Sequence, residues 1–190
     1  GFLQIYTKPI IHRFNTLVKG FNFTSSDIYA MSLICGYETV IRGSSPFCGL
    51  SVLSINEWLG FEYTNDVRYF YNCGYGAPMS GAIGFPWLKA SFNALMSKHN
   101  SYSNETADQD MFVSFTHRSM PPMVIVALGL FNNSAYSGAN DILSTMPLNT
   151  INHQRVWKSS NIIPFLTDIG IEKLDCDSYG FEKGTYYRVM

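Results

Sequence analysis

The residues best equipped for chemistry are His117 and Arg118. They sit between two apolar stretches in the run Met-Phe-Val-Ser-Phe-Thr-His-Arg-Ser-Met-Pro-Pro-Met-Val-Ile-Val-Ala-Leu-Gly-Leu at 111–130. An imidazole carries protons near neutral pH, and a guanidinium is a permanent cation whose planar fork of donors matches phosphate oxygens. Residues 111–115 are short, aromatic and β-branched, which suits a strand, and 123–130 are so continuously apolar that they belong in a core. Ser119 has the chemistry of an N-cap, and Pro121 and Pro122 fit a first helical turn, where a missing backbone donor is no loss. His117 and Arg118 are therefore expected just outside the carboxyl end of a strand and beside a helix N-terminus. Open α/β sheets bind ligands there, and an anion such as phosphate is favoured. A hydrogen-bonded structural pair is the competing reading of the same two residues.

The rest of the composition bounds what such a site serves. With 190 residues, 46% of them hydrophobic and 15% aromatic, there is enough chain for one domain with a core, and disorder is excluded. A net charge of -1 gives no electrostatic case for nucleic acid or a charged membrane face. No apolar run approaches a membrane span, so a soluble chain with no membrane partner is expected. No basic n-region and apolar h-region is read within these residues, yet three N-x-Ser/Thr sequons, at Asn22, Asn104 and Asn132, favour a secreted glycoprotein. Four cysteines without metal-ligand spacing agree with an oxidising compartment. There is no P-loop, zinc motif or G-x-S-x-G elbow, so neither a metal nor an organic cofactor is expected.

The positioning elements read as follows. Residues 8–19 form a helix with Pro9 in its first turn, Ile10, Phe14, Leu17 and Val18 on one face, and Gly20 as the stop; His12 is a surface residue on it. Thr24-Ser-Ser-Asp27 has capping-box spacing and opens a helix with Ile28, Met31 and Cys35; Ser54-Ile-Asn-Glu57 repeats the spacing before Trp58 and Phe61. Pro86 is expected to begin another helix, with Leu88, Phe92, Leu95 and Met96 as its stripe. Residues 98–110 are polar and read as an exposed connection, and 169–174 and 184–190 read as two strands joined by the turn Asp177-Ser-Tyr-Gly180. His99 and His153 are expected to be exposed.

Ser-Phe-Thr-His117 followed by an apolar helix ending in Ala-Leu-Gly-Leu resembles the second signature of the histidine acid phosphatases, the family that includes fungal acid phosphatases and phytases. Further segments resemble that family in the same order. They are Cys35-Gly-Tyr-Glu with Ser45-Pro46-Phe47-Cys48, Asn56-Glu57-Trp58, Tyr71-Asn-Cys73-Gly74-Tyr75-Gly76, Glu172-Lys-Leu-Asp-Cys176 and Tyr187-Arg188-Val189. The resemblance implies an α/β fold, a histidine-phosphatase-like sheet with flanking helices plus a mainly helical subdomain, incomplete in this chain. It divides the sequence into a mainly helical portion at 1–107 and the later strands and helix of the phosphatase domain at 108–190.

The family's nucleophile lies in an Arg-His-Gly-x-Arg-x-Pro signature that these residues do not contain, so the chain is expected to be the C-terminal half of such a protein. By resemblance His117 contacts the phosphate. Arg118 stands where the family has a proton-donating Asp, and a guanidinium with a pKa above about 12 is no proton donor. The expected activity is that of a secreted acid phosphatase or phytase acting on phosphomonoesters, inositol phosphates among them, with the isolated chain inactive. The alternatives are a non-catalytic phosphate- or inositol-phosphate-binding pseudophosphatase, or a truncated remnant. Arg68 falls where phytase-like members have basic substrate contacts, and a solvated helix charge is its rival reading. Glu57, Glu62, Asp66, Asp108 and Asp110 lie near the site-forming segments in sequence, but none is assigned as donor. Resemblance pairs Cys35 with Cys48, while a Cys73–Cys176 bridge stays open.

Overall fold

The computed structural model describes residues 1–96, 111–132, 142, 144 and 146–190. Its order of elements is α1 (Phe2–Tyr6), α2 (Lys8–Leu17), α3 (Ser25–Arg42), a 3-10 turn (Pro46–Cys48), α4 (Ile55–Cys73), α5 (Ser80–Met96), α6 (Met120–Ala127), a single turn at Ser159–Ile162, and the strands β1 (Ile171–Cys176) and β2 (Gly184–Val189). The mixture of helices with a small antiparallel sheet has α/β character. The boundary expected at 107/108 lies outside the described residues, as does the whole polar connection at 98–110 with His99 and Asn104. By its internal packing the chain divides into two compact units, each built from two stretches: Gly1–Tyr69 with Asn133–Ser160, and Phe70–Asn132 with Asn161–Met190.

The first unit is helical. Both sequence-read capping boxes form. Thr24 Oγ1 accepts from Asp27 N–H while the Asp27 carboxylate accepts from Thr24 N–H at 2.8 Å, and Glu57 does the same for Ser54 N–H at 2.7 Å. Two orphan donors are satisfied at each helix start, which fixes where α3 and α4 begin. Gly43, at φ +80°, ends α3 in the left-handed conformation that only glycine adopts cheaply. The apolar faces of α2 and α3 meet Leu53 around Ile10 and Ile28, with Tyr6, Phe14, Phe23 and Trp58 packed against them. A disulfide joins Cys35 to Cys48 and ties the 3-10 turn to α3. Cross-linking a loop of that size contributes roughly 3 kcal/mol in the chain-entropy model.

A buried ion cluster ties residues near the end of this unit to α4. Asp66 is 0% exposed and Arg155 4%. Arg155 donates to Asp66 Oδ2 from Nε at 2.6 Å and to Glu62 Oε2 from Nη2 at 2.9 Å, and its Nη1 donates to the Asn152 carbonyl. Ser159 supplies N–H and O–H to Asp66 Oδ1, both at 2.6 Å. Every oxygen of the buried carboxylate is thus met by a donor, the condition under which a buried charge is tolerated.

The second unit holds the end of α4, α5, α6 and the β1–β2 hairpin. The strands pair antiparallel from Ile171 opposite Val189 to Cys176 opposite Gly184, and Gly180 at φ +93° sits in the turn between them. The sequence places the first strand at 169–174; it runs two residues later. Two expectations need correction. Residues 111–115 are not a strand: among the described residues nothing pairs with them, and Met111, Phe112, Val113 and Phe115 are 53–96% exposed. β-Propensity without a partner for the backbone donors and acceptors makes no ladder. α5 begins at Ser80 rather than at Pro86, which lies inside the helix. Pro86 and Ala82 are both exposed, so the carbonyl that Pro86 leaves without a donor is open to water.

Two stability measurements follow. Arg155→Met leaves the Asp66 charge buried without its cation and is expected to lower the unfolding free energy by about 3–5 kcal/mol; a loss below about 1 kcal/mol in urea titrations would show that the cluster is not a clamp. Burial pushes the Tyr6 phenol up to about 12, against a downward pull from its hydrogen bond with Thr64. A proton held more tightly in the folded state stabilises fully below the ordinary phenol value and is lost as pH rises through the folded one. Stability is therefore expected to fall between about pH 10 and 12, with a delayed phenolate absorbance step that Tyr6→Phe removes.

Candidate functional site

Packing in the second unit presents the junction before α6. The close approach of α5 and α6 is centred on Gly84, where an added Cβ would fall on the Met123 carbonyl and within 2.6 Å of Val124 N. Backbone meets backbone there, so no side chain larger than hydrogen fits. At the other end of α6 the Tyr75 hydroxyl donates to the Leu130 carbonyl at 2.7 Å, and Gly129 turns the chain at φ +71°. Trp87 on α5 donates from Nε1 to Ser114 Oγ at 2.8 Å and holds the approach to the junction. Val124 and Ile125 are buried; His117 and Arg118 are exposed.

The helix start differs from its expected form. An α-helix leaves its first four N–H groups without intrahelical partners, here those of residues 119–122. Ser119 N–H donates to His117 Nδ1 at 3.4 Å, and Met120 N–H donates to the His117 carbonyl at 2.9 Å. Pro121 and Pro122 carry none. An incoming anion thus finds no free backbone donor, and the attraction left is that of the macrodipole and the side chains. Nor does Ser119 cap the helix. A cap accepts from the second or third helical N–H, and those positions are the prolines.

The imidazole is oriented by its own neighbour: His117 Nδ1 lies 3.1 Å from Ser119 Oγ. Nε2 has no protein partner among the described residues. Arg118 is near enough to Cys73 for its charge to pull the buried thiol down, but burial is the stronger effect and pushes Cys73 up. Neither Cys73 nor Cys176 is joined in a disulfide, so the bridge left open by the sequence is not formed.

The other sequence candidates are occupied elsewhere. Arg68 is exposed on α4 in the first unit and donates to the Tyr29 hydroxyl at 3.3 Å, which itself donates to Asn65. Glu57 is taken by Arg13 and Ser54, Glu62 by Arg155 and Ser160, and Asp66 by Arg155 and Ser159. Asp108 and Asp110 lie outside the described residues. The stretches 70–96 and 111–132 contain no Asp or Glu at all. Asn22 is exposed between α2 and α3, and Asn132 is partly buried just after α6. Sequence reasoning missed Ser119 as a partner of His117, although two prolines following a cap-type serine were the visible clue. Among the described residues no group of three or more His, Cys, Asp or Glu gathers as it would around a metal ion, and no helix is long and apolar enough to cross a membrane.

Comparison with known proteins places these observations in a family. The model described as the histidine phosphatase superfamily (branch 2) matches residues 1–190. The chain is 34% identical over 175 residues to acid phosphatase PHO1 of Komagataella pastoris, covering 92% of this chain and 34% of that protein. It is 31% identical over 176 residues to the thiamine-repressible acid phosphatase pho4 of Schizosaccharomyces pombe (91% and 35%), and 26% identical over 206 residues to phytase A of Arthroderma benhamiae (100% and 43%). It therefore spans between about a third and two fifths of the length of these relatives.

If the Gly84 contact positions the junction, Gly84→Ala is expected to cost about 1–3 kcal/mol or more, because backbone cannot move aside as a side-chain end can. Denaturant unfolding followed by Trp87 fluorescence reads this directly; an unchanged midpoint would mean that α6 is held by other contacts.

Proposed function

Because the chain belongs to branch 2 of the histidine phosphatase superfamily, we propose that it forms part of a secreted acid phosphatase or phytase that hydrolyses phosphomonoesters, inositol phosphates included. The observation that carries the reading is the exposed His117–Arg118 pair, with the imidazole held through Nδ1 and its Nε2 open. Hydrolysis through a phosphohistidine needs an activated imidazole, cations around the equatorial oxygens, and a proton for the leaving oxygen. In this proposal the nucleophilic histidine lies outside these 190 residues, His117 donates from Nε2 to a phosphoryl oxygen, and Arg118 adds a permanent positive charge beside it. The leaving-group proton then comes from elsewhere than position 118. Arg68 is retained as a proposed contact for polyanionic substrates, and Asn22, Asn104 and Asn132 as proposed glycan sites.

A second reading has its own support. Arg118 and the absence of any carboxyl in 70–96 and 111–132 also suit a protein that holds phosphate or inositol phosphates without turning them over. Kinetics separate the two. In a protein carrying this chain together with a nucleophilic histidine, His117→Ala is expected to lower kcat/KM for p-nitrophenyl phosphate about 100-fold or more, the loss of one transition-state donor. The 190 residues alone are expected to bind phosphate and turn over nothing. Hydrolysis by the isolated chain that His117→Ala abolishes would overturn the assignment of the nucleophile. Phosphate binding without turnover by the longer protein would favour the receptor.

A further inference from the structure

Ser119 is a serine at a helix start with nothing to cap. The N–H groups its hydroxyl would accept from belong to positions 121 and 122, both proline. The hydroxyl instead lies 3.1 Å from His117 Nδ1, and the backbone N–H of the same residue points at that nitrogen from 3.4 Å. A backbone N–H only donates, so the Nδ1 that it faces is an acceptor. The neutral ring therefore carries its proton on Nε2.

The two donors of Ser119 are not equivalent. The N–H is fixed in direction, whereas the hydroxyl rotates: it donates to Nδ1 of a neutral imidazole and accepts from Nδ1–H once the ring is protonated. A single residue can then hold the neutral ring in one orientation. Nε2 is then left as an N–H donor. For an anion-binding imidazole this matters, because the other neutral tautomer would turn a lone pair toward the phosphoryl oxygens. The prolines thus have a chemical effect beyond shaping the turn, since removing the capping work frees the hydroxyl for the ring.

We propose that Ser119 is the positioning residue for His117, fixing the Nε2–H tautomer and aiming that N–H at a phosphoryl oxygen. The second half rests on the reading of His117 as a phosphate contact; the first stands on geometry alone. Because Ser119 caps nothing, Ser119→Ala is expected to melt as the parent does, which makes a clean comparison possible. In the ligand-free protein at mildly alkaline pH, ring nitrogen-15 shifts of His117 are expected to report Nε2–H. Ser119→Ala should move them toward a mixture of tautomers, and Ser119→Thr, which keeps the hydroxyl, should restore them. The Kd for inorganic phosphate is expected to rise roughly tenfold in Ser119→Ala, about one hydrogen bond's worth, and to stay near the parent value in Ser119→Thr. A parent ring protonated on Nδ1, or ring shifts unmoved by Ser119→Ala, would overturn the proposal. If the shifts move as stated while neither Ser119→Ala nor His117→Ala changes phosphate affinity, the hold of Ser119 on the ring stands and the assignment of His117 to phosphate falls.

Discussion

In the second unit everything near the candidate site depends on one steric constraint, the absence of a side chain at Gly84. Because α5 presents bare backbone there, the Met123 carbonyl and Val124 amide of α6 lie directly on it. Contact at that range transmits position with little slack, as packed interiors do generally. The consequence runs outward along α6. Val124 and Ile125 are buried on one side, the Tyr75 hydroxyl closes the far end, and the near end is delivered to the surface with His117 and Arg118 exposed. A flexible loop could display the same two side chains, but it would leave the imidazole free to choose its direction.

The first unit is fastened by different means, and the contrast is instructive. There the tie is electrostatic: Asp66, Arg155 and Glu62 with the Ser159 and Asn152 backbone. Taking a carboxylate and a guanidinium out of water is costly, and such clusters seldom stabilise more than an apolar core of the same volume. Their use lies in uniqueness, since an Arg fork satisfied by three separate acceptors fits only one arrangement of the segments that supply them. Glu62 and Asp66 stand one helical turn apart on α4, so a single Arg155 reads both. Those carboxyls were candidates for a proton donor on sequence position alone. Their engagement in this cluster gives them a structural role instead.

How much of this was legible in the sequence depended on the range of the interaction. Thr24 with Asp27 and Ser54 with Glu57 announce helix starts because both partners of a capping box lie within four residues, and Gly43 ends α3 by a purely local rule. Residues 111–115 failed for the opposite reason. Aromatic and β-branched side chains signal fitness for a pleated sheet, yet a strand exists only where a neighbour accepts its hydrogen bonds. The pairing of Asp66 with Arg155 spans 89 positions and leaves no local trace. Pro86 misled because proline is common in first turns and is also tolerated on an exposed helix face where water takes over the lost bond. At the site, the residue types of His117 and Arg118 were plain from sequence. The way Ser119 serves one of them required seeing that a local rule, capping, had been cancelled by the two prolines.

That cancellation shapes what the junction can do to an anion. At an ordinary helix start several backbone N–H groups converge on an oxyanion and bind it neutrally and without titration. Here those donors are spent on His117 or missing, so any hold on an anion is left to the imidazole and guanidinium side chains. The stretches 70–96 and 111–132 hold no carboxylate of their own. On the proposed reading, this composition suits capture of a phosphoryl group and supplies no carboxylic acid for its leaving oxygen. The nucleophile and the proton for the leaving oxygen are, on the same reading, both supplied from outside these two stretches.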